Sequence, residues 1–186
     1  FVDSQGRGGY FGPDGLSRRR AFLASPLEFS RVTSGFAMRF HPLQKSWRAH
    51  LGVDYGAPTG TPVRAVGDGV VKFAGRQNGY GNVVEVQHVA DRSTLYAHLS
   101  RIDVHKGQRV DQGTPIGAVG ATGWATGPHL HFEFRVNGQH QDPLKVAKAS
   151  EALALDTADR GRFAGVAHSV KTSLQAAGSV GRASFE

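Results

Sequence analysis

The sequence predicts a mostly β fold, an antiparallel sheet closed by a second small sheet. Three observations carry this. Glycines, 25 in 186 residues, punctuate short runs along the whole chain. Residues 82–88 and 129–136 alternate apolar and polar side chains with the period of a half-buried strand. Between residues 30 and 144 few stretches have a helical period.

In chain order, residues 1–28 read as an irregular N-terminal extension. Gly12-Pro13-Asp14-Gly15 has turn chemistry, and Arg18-Arg19-Arg20 is a basic cluster, solvated or facing an anion. Residues 21–27 are apolar enough to pack on the core. Residues 29–144 form the central domain. Within it, residues 64–75 and 107–117 both read as β–turn–β. Residues 82–88, a short polar turn at 91–93, and residues 95–100 read as a hairpin that ends at His98. The tail, residues 145–186, is rich in Ala, Ser, Gly and charge. Its Ala and Leu content predicts a helix over residues 145–159. After Gly161 small and polar residues alternate, and disorder, or order imposed by a partner, is expected.

The chemistry concentrates in two places. In Gly127-Pro128-His129-Leu130-His131-Phe132-Glu133-Phe134, two histidines stand at i and i+2. That spacing shares a face only on a strand, where side chains alternate. His129, His131 and Glu133 then line one face, with Leu130, Phe132 and Phe134 on the other. Upstream, His50 and Asp54 stand at i and i+4, and Gly52 and Tyr55-Gly56-Ala57-Pro58 place them on an extended segment. His50, Asp54 and one histidine of the later pair supply three N/O ligands with a fourth position open, the pattern of a catalytic metal site. Zinc is favoured because the chain has no cysteine and no cofactor motif, although the carboxylate also suits manganese or iron. The other histidine of the pair and His98 are left to hydrogen-bond the reacting groups.

His50-x-x-x-Asp54, Tyr96-Ala97-His98-Leu99 and His129-x-His131, in this order, resemble the signature set of the M23 zinc endopeptidases, the LytM or lysostaphin type. Gly79-Tyr80-Gly81-Asn82 and Thr126-Gly127-Pro128-His129 match as well. The resemblance covers roughly residues 29–144. It implies a LytM-type peptidase fold with lipoyl-like hairpins. It also implies one zinc ion per chain held by His50, Asp54 and His131, with His98 and His129 as the catalytic pair. The implied activity is hydrolysis of peptide cross-links of bacterial peptidoglycan, the D-Ala–diaminopimelate bond in the Gram-negative relatives, by a zinc-activated water assisted by two histidines. Export to the periplasm or cell envelope follows from the same resemblance. The N-terminal segment is similar to the linker that precedes the peptidase domain in longer cell-envelope members. The chain, which begins with Phe1, is therefore read as the processed or excised C-terminal part of a protein with upstream domains.

Other residues are candidates with an ordinary alternative beside them. His41, Tyr80, Asn82, Trp124 and Thr126 are placed at the substrate groove, with loop packing or turn chemistry as the alternative. Glu133 is a candidate to orient a metal-binding histidine, or is a solvated strand carboxylate. His88, His105, His140 and His168 read as ordinary polar residues. A net charge of +7 suits an anionic polymer, and there is no nucleic-acid motif. No run has the length and apolarity of a transmembrane helix or signal peptide. Two other functions share parts of this pattern. A non-catalytic activator of a cell-wall amidase, on the same fold, is expected to lack metal ligands that are all present here. A lipoyl-like carrier needs a lysine at a tight turn, where this chain has Gly67-Asp68-Gly69 and Asp111-Gln112-Gly113.

Overall fold

The computed structural model describes residues 1–4, 6, 8–29, 31–41, 46–149 and 152–182. Its strands are β1 Leu16–Arg20, β2 Arg31–Ser34, β3 Ala37–His41, β4 Ser46–His50, β5 Val53–Gly56, β6 Pro62–Arg64, β7 Gly69–Gln77 and β8 Gly81–Gln87. They continue as β9 Arg92–Leu99, β10 Arg101–Ile102, β11 Arg109–Val110, β12 Pro115–Ala118, β13 His129–Val136, β14 Gln139–Gln141 and β15 Ala152–Ala154, and the helices are α1 Pro143–Ala149 and α2 Thr157–Arg182. Residues 22–150 form one compact unit, and residues 1–21 with 151–186 form another.

In the larger unit the main sheet runs β11-β7-β8-β9-β13-β5-β2, with β14 paired to β13, and every pairing in it is antiparallel. A smaller sheet, β10-β12-β6, and a β3-β4 hairpin complete the unit. The predicted architecture is therefore the observed one. β13 is central, flanked by β9 and β5, and its alternation sorts side chains as expected. Leu130, Phe132 and Phe134 are buried on the apolar side. There Phe132 packs against Tyr96 at 5.2 Å between ring centroids, and Phe134 meets Phe22 edge-on at 4.9 Å. Burying each such side chain contributes about 1.5–3 kcal/mol. Phe22 and Leu27 are buried in this unit too, and Leu23 donates its N–H to the Val66 carbonyl at 2.7 Å, so the apolar stretch at 21–27 is a packed one.

Two details depart from expectation. The β–turn–β segments are not hairpins: β6 and β12 pair with each other in the small sheet, whereas β7 and β11 pair in the large one. Each turn is a crossing between sheets, and the two crossings are tied together, Gln112 N–H donating to Asp68 Oδ1 at 2.6 Å and Gln112 Nε2 to the Val66 carbonyl at 3.0 Å. The helix expected over residues 145–159 is also displaced. Asp142-Pro143 starts a helix two residues earlier, because Asp142 Oδ1 caps Leu144 N–H at 3.0 Å and proline suits the first helical position. That helix ends by Ala149, and β15 follows. Asp156-Thr157 then opens the long helix α2 where disorder was expected.

In the smaller unit, β15 pairs antiparallel with β1. Asp159, buried in the first turn of α2, accepts from Ser4 N–H at 3.0 Å and from Ser4 Oγ at 2.9 Å. Phe163 of α2 lies 5.4 Å from Phe1 and 5.7 Å from Phe11. Those aromatic contacts order a helix whose glycines each lower its own propensity by about 1 kcal/mol. No described helix is long and apolar enough to cross a membrane.

Candidate metal centre

β4 ends at His50 and β5 begins at Val53. The expected single extended segment is therefore two strands, and the break is what makes a shared site possible. On one straight strand, residues four apart would be separated by roughly 13 Å. The turn at Leu51-Gly52 brings His50 Nε2 to 3.1 Å from Asp54 Oδ1. Gly52 is needed there: a Cβ would stand 2.5 Å from the Phe132 carbonyl and 2.8 Å from the His131 ring.

In the β13–β5 register His131 lies opposite Asp54. His131 Nδ1 is 2.8 Å from Asp54 Oδ1 and 3.2 Å from His50 Nε2. All three residues are buried, and this trio is a group that can hold a metal ion. The chemistry of the donors fits. His50 Nδ1–H donates to the Gly35 carbonyl at 2.7 Å, and His131 Nε2–H donates to Glu133 Oε1 at 3.1 Å. Both outward nitrogens thus carry a proton, and the inward nitrogens are the ones left for a further proton or a metal ion. Two ring nitrogens and a carboxylate oxygen converge on one point, and a cation is what reconciles them. Two imidazoles, one carboxylate and no thiolate suit zinc.

The electrostatics agree. Burial would raise the Asp54 carboxyl, but hydrogen bonds from His131 and His50 and their charge hold it well below the carboxylate range. Burial pushes His131 down, yet the hydrogen bonds and charges of Asp54 and Glu133 together raise it to about 9. A proton and a metal ion compete for the same nitrogen.

Glu133 is fully buried and occupied on both oxygens. Oε1 accepts from Tyr80 Oη at 2.6 Å as well as from His131. Oε2 accepts from Arg135 Nη2 at 2.6 Å and from His140 Nε2 at 2.9 Å. These donors outweigh the burial that would raise it, so its carboxyl stays low, at about 2. Glu133 is not a solvated strand residue. Arg135 carries no expectation in the sequence and His140 reads there as an ordinary polar residue, although the role of both was findable. Arg135 continues the period-2 face of His129, His131 and Glu133. The turn Asn137-Gly138, with φ of 50° and 75°, is the signal of a two-residue hairpin that sets His140 opposite Arg135.

His98 and His129 stand beside the trio. Their rings are 4.7 Å apart, His98 is 6.0 Å from the His131 ring, and His129 Nε2 is 4.0 Å from Asp54 Oδ1. His98 Nδ1–H donates to the Thr122 carbonyl at 2.8 Å, and His129 Nδ1–H to the Gly127 carbonyl at 2.8 Å. Each ring therefore keeps Nε2 as an acceptor. Burial, reinforced by the nearby histidines against the Thr122 hydrogen bond, lowers His98 to about 4. His98 sits in the left-handed region at φ 60°, a strain of about 1–3 kcal/mol for a non-glycine. Its backbone N–H bonds the Tyr80 carbonyl at 2.8 Å, and Asn82 and Thr122 both bond the next carbonyl, Leu99 O, at 2.9 Å.

The remaining groove candidates fare differently. Tyr80 Oη is committed to Glu133 and Asn82 Nδ2 to the Leu99 carbonyl. Trp124 is 75% exposed and Thr126 is exposed. His41 ends β3, and its side chain lies outside the described residues. His88 is the satisfied histidine expected, held by the Asp68 carbonyl and Thr94 Oγ1, both at 2.8 Å.

Three converging N/O donors with two further imidazoles alongside, on an antiparallel sheet, have the make-up of a mononuclear metal site with an open position. The chain belongs to peptidase family M23, whose model matches residues 48–143. It is 48% identical over 149 residues to the DD-carboxypeptidase/endopeptidase Mpg of Neisseria meningitidis, covering 80% of this chain and 34% of that protein. It is 48% identical over 140 residues to the peptidoglycan DD-endopeptidase ShyC of Vibrio cholerae, covering 75% and 32%. The chain spans about a third of the length of these curated relatives. Among solved structures, a zinc containing peptidase from Vibrio cholerae superposes with a TM-score of 0.65 at 37% identity, over 77% of this chain and 45% of that one. The antimicrobial peptidase lysostaphin from Staphylococcus simulans does so with 0.61 at 34%, over 70% and 54%.

Proposed function

We propose that this chain is a zinc-dependent endopeptidase that hydrolyses the D-Ala–diaminopimelate cross-links of bacterial peptidoglycan outside the cytoplasm, in the periplasm or cell envelope. The observation that carries the reading is the convergence of His50 Nε2, Asp54 Oδ1 and His131 Nδ1, with the outward nitrogen of each ring already bonded, beside two histidines whose Nε2 atoms have no hydrogen-bond partner among the described residues. His50, Asp54 and His131 would hold one zinc ion. Bound there, zinc supplies Lewis acidity toward the scissile carbonyl and acidifies water.

The chain's own groups do the rest. With its Nδ1–H held by the Thr122 carbonyl, His98 presents Nε2 as the acceptor for a proton from the attacking water. His129, tethered through Nδ1 in the same way, shares that role. Once protonated, either ring donates to the developing oxyanion or to the leaving amine. Glu133, with Tyr80, Arg135 and His140 on it, keeps the His131 ring turned so that Nδ1 faces Asp54. Names of relatives such as DD-endopeptidase support the bond chosen, and the basic surface suits an anionic wall.

Digestion of purified cross-linked peptidoglycan with and without a zinc chelator, read by mass spectrometry of the released muropeptides, tests this. Chelator-sensitive conversion of dimers to monomers at the D-Ala–diaminopimelate bond is expected. Intact dimers from zinc-loaded protein would sink it and move the assignment to a non-catalytic activator of a cell-wall amidase.

A further inference from the structure

A cleft of about 440 Å³ adjoins the catalytic side of the sheet, lined by Arg76 and Asn78 at the end of β7 and its turn, by Gly79, and by Gly123 and Trp124 of the facing loop. It is built on a rigid seam. Trp124 N–H donates to the Gly79 carbonyl at 2.8 Å, and its indole lies flat enough on Gly79 that a Cβ there would be 3.5 Å from the ring. Gly123 closes the seam at φ 75°, where a Cβ would stand 2.4 Å from both Gly79 O and Gly81 N. Thr122 and Tyr80, one residue along each strand of this seam, are the residues whose carbonyls hold His98. The cleft therefore begins one residue along from the two carbonyls that hold His98.

Two features of the cleft are unused by the fold. Trp124 is 75% exposed although its backbone N–H is pinned. Arg76 is exposed, with no acidic partner among the described residues, and no acidic residue lines the cleft. An aromatic face beside an unpaired guanidinium recognises an aliphatic arm that ends in a carboxylate.

We infer that the Arg76–Trp124 cleft is a specificity subsite for a carboxylate-bearing segment of the substrate peptide, its aliphatic part on the Trp124 indole and its carboxylate on Arg76. This rests on the peptidoglycan reading above, in which the stem peptides carry free carboxylates.

The test compares muropeptide dimers carrying free carboxylates with the same dimers amidated, on the full chain loaded with zinc. For a partly exposed pair the expected KM for amidated dimers is about three- to fivefold higher. Arg76→Gln should raise KM for the free-acid dimers by the same factor and erase the preference, with kcat within about twofold. Arg76→Lys should restore part of it. Trp124→Ala should raise KM for both substrates about tenfold. Equal KM for the two dimers in the unaltered protein, or no change in Arg76→Gln, would overturn the subsite while leaving the hydrolase standing. A direct binding arm separates the two ideas. In a Trp47→Phe background Trp124 is the sole indole, and its fluorescence is titrated with the same dimers. A response to free-acid dimers that Arg76→Gln weakens supports the subsite even if no bond is cut. The absence of any response overturns it even if hydrolysis holds.

Discussion

The two faces of β13 are made by adjacent residues of one strand and do opposite work. Leu130, Phe132 and Phe134 are buried against Tyr96, Tyr55 and Phe22. His129, His131, Glu133 and Arg135 hold hydrogen bonds and charge on the other side. A one-residue slip would exchange the faces, so the apolar side sets the register and the register aims the imidazoles. A precise site is cheapest to maintain on a strand whose other face is core. Histidine shows the same contrast in one residue type. His88, edge-on to Phe22 at 5.1 Å, is a structural group with both nitrogens bonded inward, whereas His98 and His129 each bond through Nδ1 and leave Nε2 without a hydrogen-bond partner among the described residues.

The comparison can be broken in steps. The largest effect is expected from Asp54→Ala or His131→Ala, which should leave a folded protein with almost no bound zinc and no detectable cross-link cleavage. Elemental analysis beside circular dichroism checks this, and a zinc-replete His131→Ala protein would refute the assignment of that ring. Next, Phe132→Ala on the apolar face should lower unfolding free energy by about 3–5 kcal/mol in urea titration, while the protein that stays folded still binds zinc. Loss of zinc without loss of stability would mean that the faces are not separable in this way.

His98→Ala and His129→Ala should retain zinc and lose about 10²–10³ in kcat, close to the effect of removing one transition-state hydrogen-bonding group. An empty metal site in either variant would remove the division between ligand and catalytic histidines. Glu133→Gln is expected to weaken zinc about 10–100-fold in chelator competition, since a neutral amide holds the His131 tautomer less well. Unchanged zinc affinity would make Glu133 a packing residue only.

The smallest effect concerns His88. Burial lowers its folded pKa below the ordinary 6.5. The unfolded chain then takes up the proton first as pH falls, so this contribution to stability is complete above pH 6.5 and declines below it. Urea midpoints measured at about pH 7.5 and about pH 5 should differ less in His88→Gln than in the unaltered chain. An identical pH dependence in both would show that His88 is not buried neutral.

Much of this protein was written in the period of its sequence. Alternation at residues 82–88 and 129–136 placed strands β8 and β13 and sorted Phe132 from His131 without any tertiary information, because a strand has only two faces. The motif order His50, Asp54, His98, His129, His131 pointed to the family before any geometry was known. Tertiary structure decided what local pattern could not. The break at Leu51-Gly52 folds His50 back onto Asp54, and the β13–β5 register sets His131 across from both. Pairing between sheets turned two apparent hairpins into crossings, since a turn signal specifies a reversal and not the partner strand. The last helix formed where local propensity was weak, because Phe163 found Phe1 and Phe11, residues that lie far away in the chain and adjacent in the fold.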